Sequence, residues 1–142
     1  MKILHIADVH WRGLSRHQEY ILVFKRLFKQ AKLLKPDVIY VGGDIVHSKT
    51  QGISPELIDC LCWWFEEMSE IAPVHAILGN HDGLILNKDR QDAITPIIKA
   101  LNNDRIYLYK DSGTYSIPNY DNFEWCVLSC FDEENWPTVK PS

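Results

Sequence analysis

The sequence predicts an α/β fold with a layered architecture, in which helices flank a mostly parallel sheet and the C-terminal part is rich in strands. Two observations predict it. Over roughly the first 80 residues, short apolar runs alternate with segments of helical periodicity, as expected of parallel strands joined by helices. The last third of the chain instead contains short strand-like runs. The length of 142 residues and the hydrophobic fraction of 46% suit one folded domain with its own core.

The first strand and helix are predicted close to the N-terminus. Residues 2–7 form a short apolar run with branched side chains, and we expect a strand buried on both faces. Residues 15–35 place large apolar side chains three or four positions apart, with lysines between them, which predicts an amphipathic helix. Ser15 is the predicted N-cap of this helix, and Pro36 ends it.

The next two strands repeat this arrangement. Residues 38–41 (VIYV) are predicted to form the second strand, and residues 74–78 (VHAIL) the third. Between them, a helix is predicted to begin at Ser54, with Pro55 at its first position, and to end near residues 72–73. Polar residues follow each of the first three strands, so they should meet at one edge of the sheet.

The chain after the third strand is predicted to start with a loop and a short helix over residues 95–101. Strands are predicted at residues 106–109, 114–117 and 125–131, before a polar tail. These short strands make the C-terminal part β-rich. Together the elements predict a single domain over residues 1–142.

The charged side chains are distributed unevenly along the chain. The net charge is −4, but residues 1–35 carry eight basic and two acidic side chains, and residues 36–142 carry seven basic and seventeen acidic ones. Such a basic segment is typical of proteins that bind polyanions, although a solvated helix face in an acidic protein would give the same pattern.

The sequence carries no sign of secretion or membrane insertion. The apolar run at the N-terminus is too short for a signal peptide, and no apolar run approaches the ~20 residues of a membrane span. The four cysteines lack the paired C-x-x-C spacing of a zinc site. We therefore expect a cytoplasmic protein with reduced thiols and no membrane partner.

A metal site is predicted where the first three strands end. Asp8 and His10 are two positions apart, so they should point the same way and offer a carboxylate and an imidazole. This mixed set of ligands suits Mn, Fe or Zn. Asp44, after the second strand, offers two oxygens that could bridge two ions, and Asn80, after the third, offers an amide oxygen. The pattern predicts a site for two divalent metal ions.

The residues beside these ligands predict hydrolysis of a phosphate ester. His81 would lie at the edge of the site, where its imidazole could donate a proton to the leaving group. Asp82 would hold this imidazole in one tautomer. The attacking group would be a metal-bound water, whose pKa the metal can lower to about 7. Each motif alone also suits a cap or a turn, but three in order at three strand ends are hard to obtain by chance.

Three motifs carry a resemblance to a known family. D-V-H at residues 8–10, G-D at 43–44 and G-N-H-D at 79–82 resemble the motifs of the calcineurin-like metallophosphoesterase superfamily. The flanking stretches MKILHIADVHWRG, GDIVHSK and PVHAILGNHD are similar to those of SbcD-type DNA-repair nucleases and of the related recombination endonuclease subunit of tailed phages. The resemblance implies the first half of a layered metallophosphoesterase fold and a DNA exo- or endonuclease subunit of recombination or repair.

The resemblance also implies how the metal ions are bound. Asp8 and His10 would bind the first ion. Asp44 would bridge the two ions, and Asn80 would bind the second. Mn is the metal that such nucleases usually imply, while Fe and Zn also suit these ligands.

Further roles and partners follow from the same resemblance. It implies that His81 is the catalytic histidine and that Asp82 orients it. It implies DNA as the substrate, an SbcC-like ATPase subunit as a partner and a homodimer as the assembly. For a phage-encoded protein, the compartment would be the host cytoplasm.

One feature departs from the family pattern. The family completes its metal site with later G-H and G-H-x-H motifs, whereas all six histidines here lie at or before residue 81. We therefore expect residues 1–142 to be the N-terminal part of a catalytic domain, and the activity of this chain alone stays open. A phosphoesterase acting on small molecules and a truncated, non-catalytic module for metal binding or assembly remain as alternatives.

Other polar residues near the motifs are candidate substrate contacts. Arg12 and His17 follow the first motif, and His47 follows the second. Ordinary loop residues would occupy the same positions. His5 and His75 lie within apolar strands, where we expect groups of the core, or groups behind the metal ligands, rather than ligands themselves.

Overall fold

The computed structural model describes residues 1–48, 53–83 and 91–142. Within these ranges it contains a four-stranded parallel sheet with packed helices and a separate antiparallel hairpin, which confirms the predicted α/β class. The parallel strands lie side by side in chain order: β1 (Ile3–Ile6), β2 (Val38–Gly42), β3 (Val74–Ile77) and β4 (Ile106–Tyr109).

The other elements surround this sheet. Helices α1 and α2 pack against each other, α2 also contacts α3, and the hairpin is formed by β5 and β6. A short 3-10 helix, Glu133–Thr138, follows the hairpin. The bounds are α1 (His17–Leu34), α2 (Pro55–Ile71), α3 (Thr95–Leu101), β5 (Gly113–Ile117) and β6 (Tyr120–Val127).

The first turn of α1 differs from the prediction. The helix starts at His17, and Arg16 rather than Ser15 occupies the cap position, with a left-handed backbone (φ 64°). Arg16 also forms an ion pair with Glu19 at 2.8 Å across the first turn. The negative charge of Glu19 suits the positive end of the helix, so an acidic first turn takes the place of the predicted serine cap.

The start of α2 is confirmed. The Ser54 hydroxyl accepts the main-chain N–H of Leu57 at 3.0 Å, and Pro55 opens the helix. The same hydroxyl donates to the carbonyl of Gly13. This contact joins the start of α2 to the loop that follows the first motif.

One face of the parallel sheet builds the main core with the helices. Side chains alternate along β2 and β3, and those on this face are fully buried. They belong to the same cluster as the buried aromatic side chains of α1 and α2. The central members of this cluster are Ile39, Val41, Val74, Ala76, Phe24, Trp64 and Phe65.

The prediction that β1 is buried on both faces is wrong. β1 lies at the edge of the sheet, with His5 exposed and Ile3 46% exposed. The hairpin covers the central strands instead, where Trp125 stacks on Tyr40 with 5.5 Å between the ring centroids. His75, on the same face as Tyr40, is buried as predicted.

The last strand is shifted relative to its prediction. The sequence predicts residues 125–131, whereas β6 spans Tyr120–Val127. A turn with Asn119 in a left-handed conformation (φ 68°) leads directly into the strand, which pairs antiparallel with β5. Asp121 and Asn122, near the start of β6, are polar and exposed, so apolar patterning does not reveal this part of the strand.

Two further predictions concern the loop after the third motif and the absence of a membrane-spanning segment. The loop predicted after the third motif includes residues 84–90, which lie outside the described residues. Within the described ranges, no helix has the length and apolarity needed to cross a membrane.

Candidate metal centre

The three polar clusters meet at one edge of the parallel sheet. Gly42, at the end of β2, lies beside Ile77, at the end of β3, so the loops that follow start from neighbouring positions. Asp8 donates its main-chain N–H to the carbonyl of Gly43 at 3.2 Å, which joins the first loop to the second. The carboxyl ends of the strands therefore gather the predicted ligands in one place.

The backbone turns sharply at three of the predicted ligands. Asp8, His10 and Asp44 have left-handed backbones, with φ of 54°, 54° and 50°. This conformation costs an L-residue roughly 1–2 kcal/mol and is found where the surrounding structure holds it in place. Here a parallel bridge between Trp11 and Val46, just beyond the ligands, holds the two loops together.

Two glycines allow the second and third loops to approach closely. A Cβ atom on Gly79 would collide with the carboxylate and the main-chain nitrogen of Asp44. A Cβ atom on Gly43, whose φ is 89°, would lie 2.7 Å from the main-chain nitrogen of Gly79. Only residues without a side chain fit at these two positions, so the glycines set the spacing of the site.

Asp8, His10 and Asp44 form a group that could hold a metal ion. One ligand atom from each lies within 4.8 Å of the others, and Nε2 of His10 is 3.9 Å from Oδ2 of Asp44. Two carboxylates and one imidazole suit Mn, Fe or Zn. Among the described residues, Nδ1 of His10 is buried without a hydrogen-bond partner, as expected of an imidazole whose polar contacts are incomplete without a ligand.

Asn80 lies against the carboxylate of Asp44. When its amide nitrogen faces Asp44, it donates to both carboxylate oxygens at 3.2 Å, and this orientation satisfies the amide. The amide oxygen of Asn80 is then the atom that can accept a further partner. The predicted fourth ligand therefore stands beside the third.

His81 is held by two main-chain contacts. Its N–H donates to Oδ1 of Asp44 at 2.9 Å, and its Nδ1 lies 2.5 Å from the carbonyl oxygen of His47. Because a carbonyl only accepts, Nδ1 must carry the proton, and Nε2 is the nitrogen that remains for chemistry. The ring lies beside His10, with 4.8 Å between the centroids.

The structure corrects the predicted role of Asp82. Its fully buried carboxylate accepts the N–H of Val46 at 3.0 Å and the N–H of Gly79 at 2.9 Å. Burial raises the pKa of Asp82 to about 6, although these hydrogen bonds act in the opposite direction. Asp82 therefore ties the second loop to the third, while the carbonyl of His47 takes the place predicted for Asp82 at the His81 ring.

Two residues that position His10 were missed by sequence reasoning. Trp11 is completely buried, and its ring stacks on Tyr20 and Phe24 at centroid distances of 4.9 and 5.7 Å. The Tyr20 hydroxyl donates to the carbonyl of His10 at 3.1 Å. A tryptophan directly after the D-x-H motif was the available signal, because so large a side chain is usually anchored in a core.

The candidate substrate contacts divide into two groups. Nε2 of His17 lies 2.6 Å from the carbonyl of Arg12, so this imidazole is bound to the main chain of the loop between β1 and α1. His47 lies within the site, with its ring 5.7 Å from that of His10 and 6.1 Å from that of His81. Partial burial lowers the pKa of His47, and electrostatic repulsion from neighbouring groups, chiefly the Arg12 guanidinium, lowers it further.

The lysines of α1 border a different surface. A cavity of about 430 Å³ lies between α1 and α2, and Trp63 lines it together with Phe28. Its remaining lining residues are mostly charged: Lys25, Lys29, Lys32 and Glu67. Some of the basic side chains of the first 35 residues thus lie around this cavity between the helices, away from the candidate metal ligands.

Comparisons with known proteins give a family match and a viral relative. The family model for calcineurin-like phosphoesterases matches residues 1–139. The protein R555 of Acanthamoeba polyphaga mimivirus, which is described as uncharacterized, is 42% identical over 137 residues. That match covers 93% of this chain but only 10% of R555, so the chain spans about a tenth of the length of this relative.

Proposed function

The chain belongs to the calcineurin-like phosphoesterase family, which implies metal-dependent hydrolysis of phosphate esters, and from this premise we propose that its site cleaves phosphodiesters in DNA. In this proposal the chain is the catalytic portion of a nuclease subunit of recombination or repair. It acts in the cytoplasm, or in that of the host for a viral protein.

The observation that carries the proposal is the cluster at the strand ends. Asp8 and His10 would hold one divalent ion, Asp44 would bridge to a second, and Asn80 would complete that second position. When bound, Mn would neutralise phosphate charge and supply a water of lowered pKa. Mn is the ion we favour because two carboxylates are hard ligands, and Fe or Zn would also suit the set.

His81 would supply the proton for the leaving group. Its Nδ1–H is hydrogen-bonded to the His47 carbonyl, so Nε2 is the nitrogen that is available to donate a proton to the leaving group. A proton on Nε2 would pass to the departing oxygen as the P–O bond breaks. The carbonyl also stabilises the protonated ring, because a hydrogen bond donated by a cationic imidazole is stronger than one donated by the neutral ring.

One feature supports DNA over a small substrate: the sequences around the motifs resemble those of DNA-repair nucleases. Arg12 lies close enough to His47 to lower its pKa, so a positive charge is available to a phosphate group of either substrate. By the same resemblance we propose an SbcC-like ATPase partner and a homodimer for the intact nuclease.

Purified full-length protein with Mn²⁺ tests the proposal. It should cleave DNA, and Asp44→Asn should abolish cleavage because the bridging carboxylate is lost. His5→Gln, at an exposed position of β1 outside the cluster, is the matched control. Persistent cleavage by Asp44→Asn would refute the role of Asp44. Hydrolysis of small phosphodiesters without cleavage of DNA of any length would favour a small-molecule phosphoesterase.

A non-catalytic role is a second candidate, because every histidine of the sequence lies at or before residue 81. In this candidate, the cluster serves metal binding or assembly alone. Calorimetric titration of the chain with Mn²⁺ separates the two. Tight binding of two ions per chain would contradict the non-catalytic candidate, whereas weak binding of one ion would support it.

A further inference from the structure

Three imidazoles converge beside the carboxylate ligands. One ring nitrogen each from His10, His47 and His81 lies within 4.8 Å of the others. We propose that these histidines form a second metal site, suited to Zn²⁺, which shares His10 with the carboxylate set and cannot be filled together with it. The metal site is argued from its three ligands alone. The expectation that bound Zn²⁺ inhibits hydrolysis rests on the proposed phosphoesterase function.

The backbone around His47 is already fixed. Its N–H donates to the carbonyl of Trp11 at 2.9 Å, and its carbonyl oxygen lies 2.5 Å from Nδ1 of His81. Val46, the preceding residue, is bonded through its N–H to the Asp82 carboxylate. The main chain at Val46 and His47 is therefore held by hydrogen bonds, which lowers the entropic cost of binding a metal ion through the His47 imidazole.

The nitrogens available on the rings fit a metal ion. The contact of Nδ1 in His81 leaves its Nε2 as the ligand atom. Nε2 of His10, which lies 3.9 Å from Oδ2 of Asp44, is the atom that the imidazole set and the carboxylate set would share. All three histidines are half-buried, so the cluster is open to ions from solvent.

The spacing requires only a modest closure of the rings. Zn–N bonds are about 2.0–2.1 Å, so two nitrogens of a tetrahedral zinc site are about 3.3 Å apart. Rotations of the side chains would bring the nitrogens from within 4.8 Å to this distance. Three imidazoles then leave the fourth position of the ion to water.

The two sets of ligands should prefer different ions. Imidazole suits Zn²⁺, Cu²⁺ and Ni²⁺, and these ions bind nitrogen ligands more tightly than Mn²⁺ does. The set with Asp8 and Asp44 is richer in hard oxygen, which suits Mn²⁺. Zn²⁺ on the imidazoles would engage His10 and occupy Nε2 of His81. It would therefore deprive the carboxylate set of one ligand and block the proton donor of the proposed hydrolysis.

Binding experiments test this site without relying on activity. Chelator-treated protein is titrated with Zn²⁺ and with Mn²⁺ by calorimetry, and with Co²⁺ by visible absorption. We expect His47→Ala to weaken Zn²⁺ binding at least about 10-fold while Mn²⁺ binding changes less than about 3-fold. His5→Ala is the matched control, since His5 is exposed on β1, and it should change neither. Bound Co²⁺ should give the intense bands of tetrahedral coordination.

Several outcomes would overturn the proposal. These are Zn²⁺ binding that does not depend on His47, an equal loss of both affinities in His47→Ala, and octahedral Co²⁺ spectra. Where His47→Ala does not fold, His47→Gln and the Zn²⁺-induced shifts of the imidazole NMR signals in the wild-type protein decide instead. The expected result is that the signals of His10, His47 and His81 shift and those of His5 do not.

An activity measurement separates this inference from the proposed function. In an active enzyme, Zn²⁺ should inhibit Mn²⁺-dependent hydrolysis in competition with Mn²⁺, and His47→Ala should raise the inhibitory Zn²⁺ concentration at least about 10-fold. Zn²⁺ binding that depends on His47, in a protein that hydrolyses no phosphoester, would retain the imidazole site and refute the proposed function. Hydrolysis of a phosphoester without Zn²⁺ binding that depends on His47 would support the proposed function and refute the imidazole site.

Discussion

The Nδ1 atom of His81 lies 2.5 Å from the main-chain carbonyl oxygen of His47, and this contact determines which nitrogen of His81 is free. A carbonyl cannot donate, so the proton resides on Nδ1 and the lone pair of the neutral ring on Nε2. The second loop thus supplies a carboxylate, from Asp44, and also the group that orients the candidate acid of the third loop. The geometry of one loop is therefore coupled to the chemistry of the next.

Replacing His81 by Asn should slow hydrolysis at a nearly unchanged metal affinity. Asn preserves the main-chain N–H that bonds to Asp44 but removes the proton donor, and general acid catalysis contributes typically 10²–10⁴-fold. We expect kcat to fall by about that factor in Mn²⁺, with the Kd for Mn²⁺ within about 3-fold of wild type. Steady-state kinetics on a phosphodiester and calorimetry provide the two values.

A substrate with a good leaving group gives the control for this prediction. Such a group departs without a proton, so His81→Asn should lose much less activity on a nitrophenyl ester than on an alkyl ester. An equal loss on both substrates would show that His81 does not act as the acid.

Asp82→Ala should destabilise the fold rather than act on the chemical step directly. The buried carboxylate accepts the N–H groups of Val46 and Gly79, and leaving a buried donor unsatisfied costs about 1–3 kcal/mol. We expect the free energy of unfolding to fall by about 3 kcal/mol, together with weaker metal binding, because the two loops separate. Denaturant unfolding and Mn²⁺ titration measure these effects.

Asp92→Ala is the matched control for Asp82→Ala. Asp92 is also buried and accepts main-chain N–H groups, from Ile94 and Thr95 at the start of α3. This variant should lose stability but retain its affinity for Mn²⁺. An Asp82→Ala protein of wild-type stability and much reduced kcat would instead favour the role first predicted for Asp82.

The sequence is informative about the ligands because their side chains are diagnostic. A carboxylate, an imidazole and an amide at successive strand ends predict a shared edge, and the structure brings Asp8, His10, Asp44 and Asn80 together there. The partner of His81 could not be predicted in this way. It is a main-chain carbonyl, which every residue possesses, so the side chain of His47 carries no signal of the contact.

The errors of the fold prediction have a related cause. The apolar residues of β1 indicate a strand, but its burial depends on which elements cover the sheet, and the hairpin contacts Tyr40 in β2 rather than the edge. The same hairpin buries His75, which lies in β3. Local patterning reports the strand, whereas only tertiary packing decides which of its faces meets solvent.

Gly79→Ala should disrupt the site while leaving the rest of the fold intact. The added methyl would overlap the Asp44 carboxylate and main-chain nitrogen, so the second and third loops must move apart. Because such overpacking typically costs 1–3 kcal/mol, we expect a comparable loss of stability and at least about 10-fold weaker Mn²⁺ binding. Calorimetry and thermal unfolding would measure both.

Gly113→Ala is the control for this steric argument. The atoms nearest to a Cβ atom there belong to the side chain of Tyr115, at 3.3 Å or more, and this position is far along the chain from the ligands. This variant should bind Mn²⁺ like the wild-type protein. Wild-type Mn²⁺ affinity in Gly79→Ala would show that the close approach of the two loops is not required.

His75 should make the stability of the protein depend on pH. Burial lowers the pKa of His75 from its usual 6.5 to about 4, so the folded protein holds the ring neutral while the unfolded chain is protonated below about 6.5. The unfolded state then binds more protons between pH 4 and 6.5, and the free energy of unfolding falls as the pH is lowered through this range. The contribution is up to about 3 kcal/mol.

His75→Phe should remove this component of the pH dependence. A phenyl ring retains the stacking on Tyr107, at 4.8 Å between centroids, but cannot be protonated, although it loses the contact between Nδ1 and the Tyr109 hydroxyl. Urea unfolding of metal-free protein at pH 7 and pH 4 should therefore show a smaller loss of stability than in wild type. His5→Gln, on the exposed edge strand, should leave the wild-type slope unchanged. Equal slopes for His75→Phe and wild type would mean that the buried imidazole takes up its proton without unfolding.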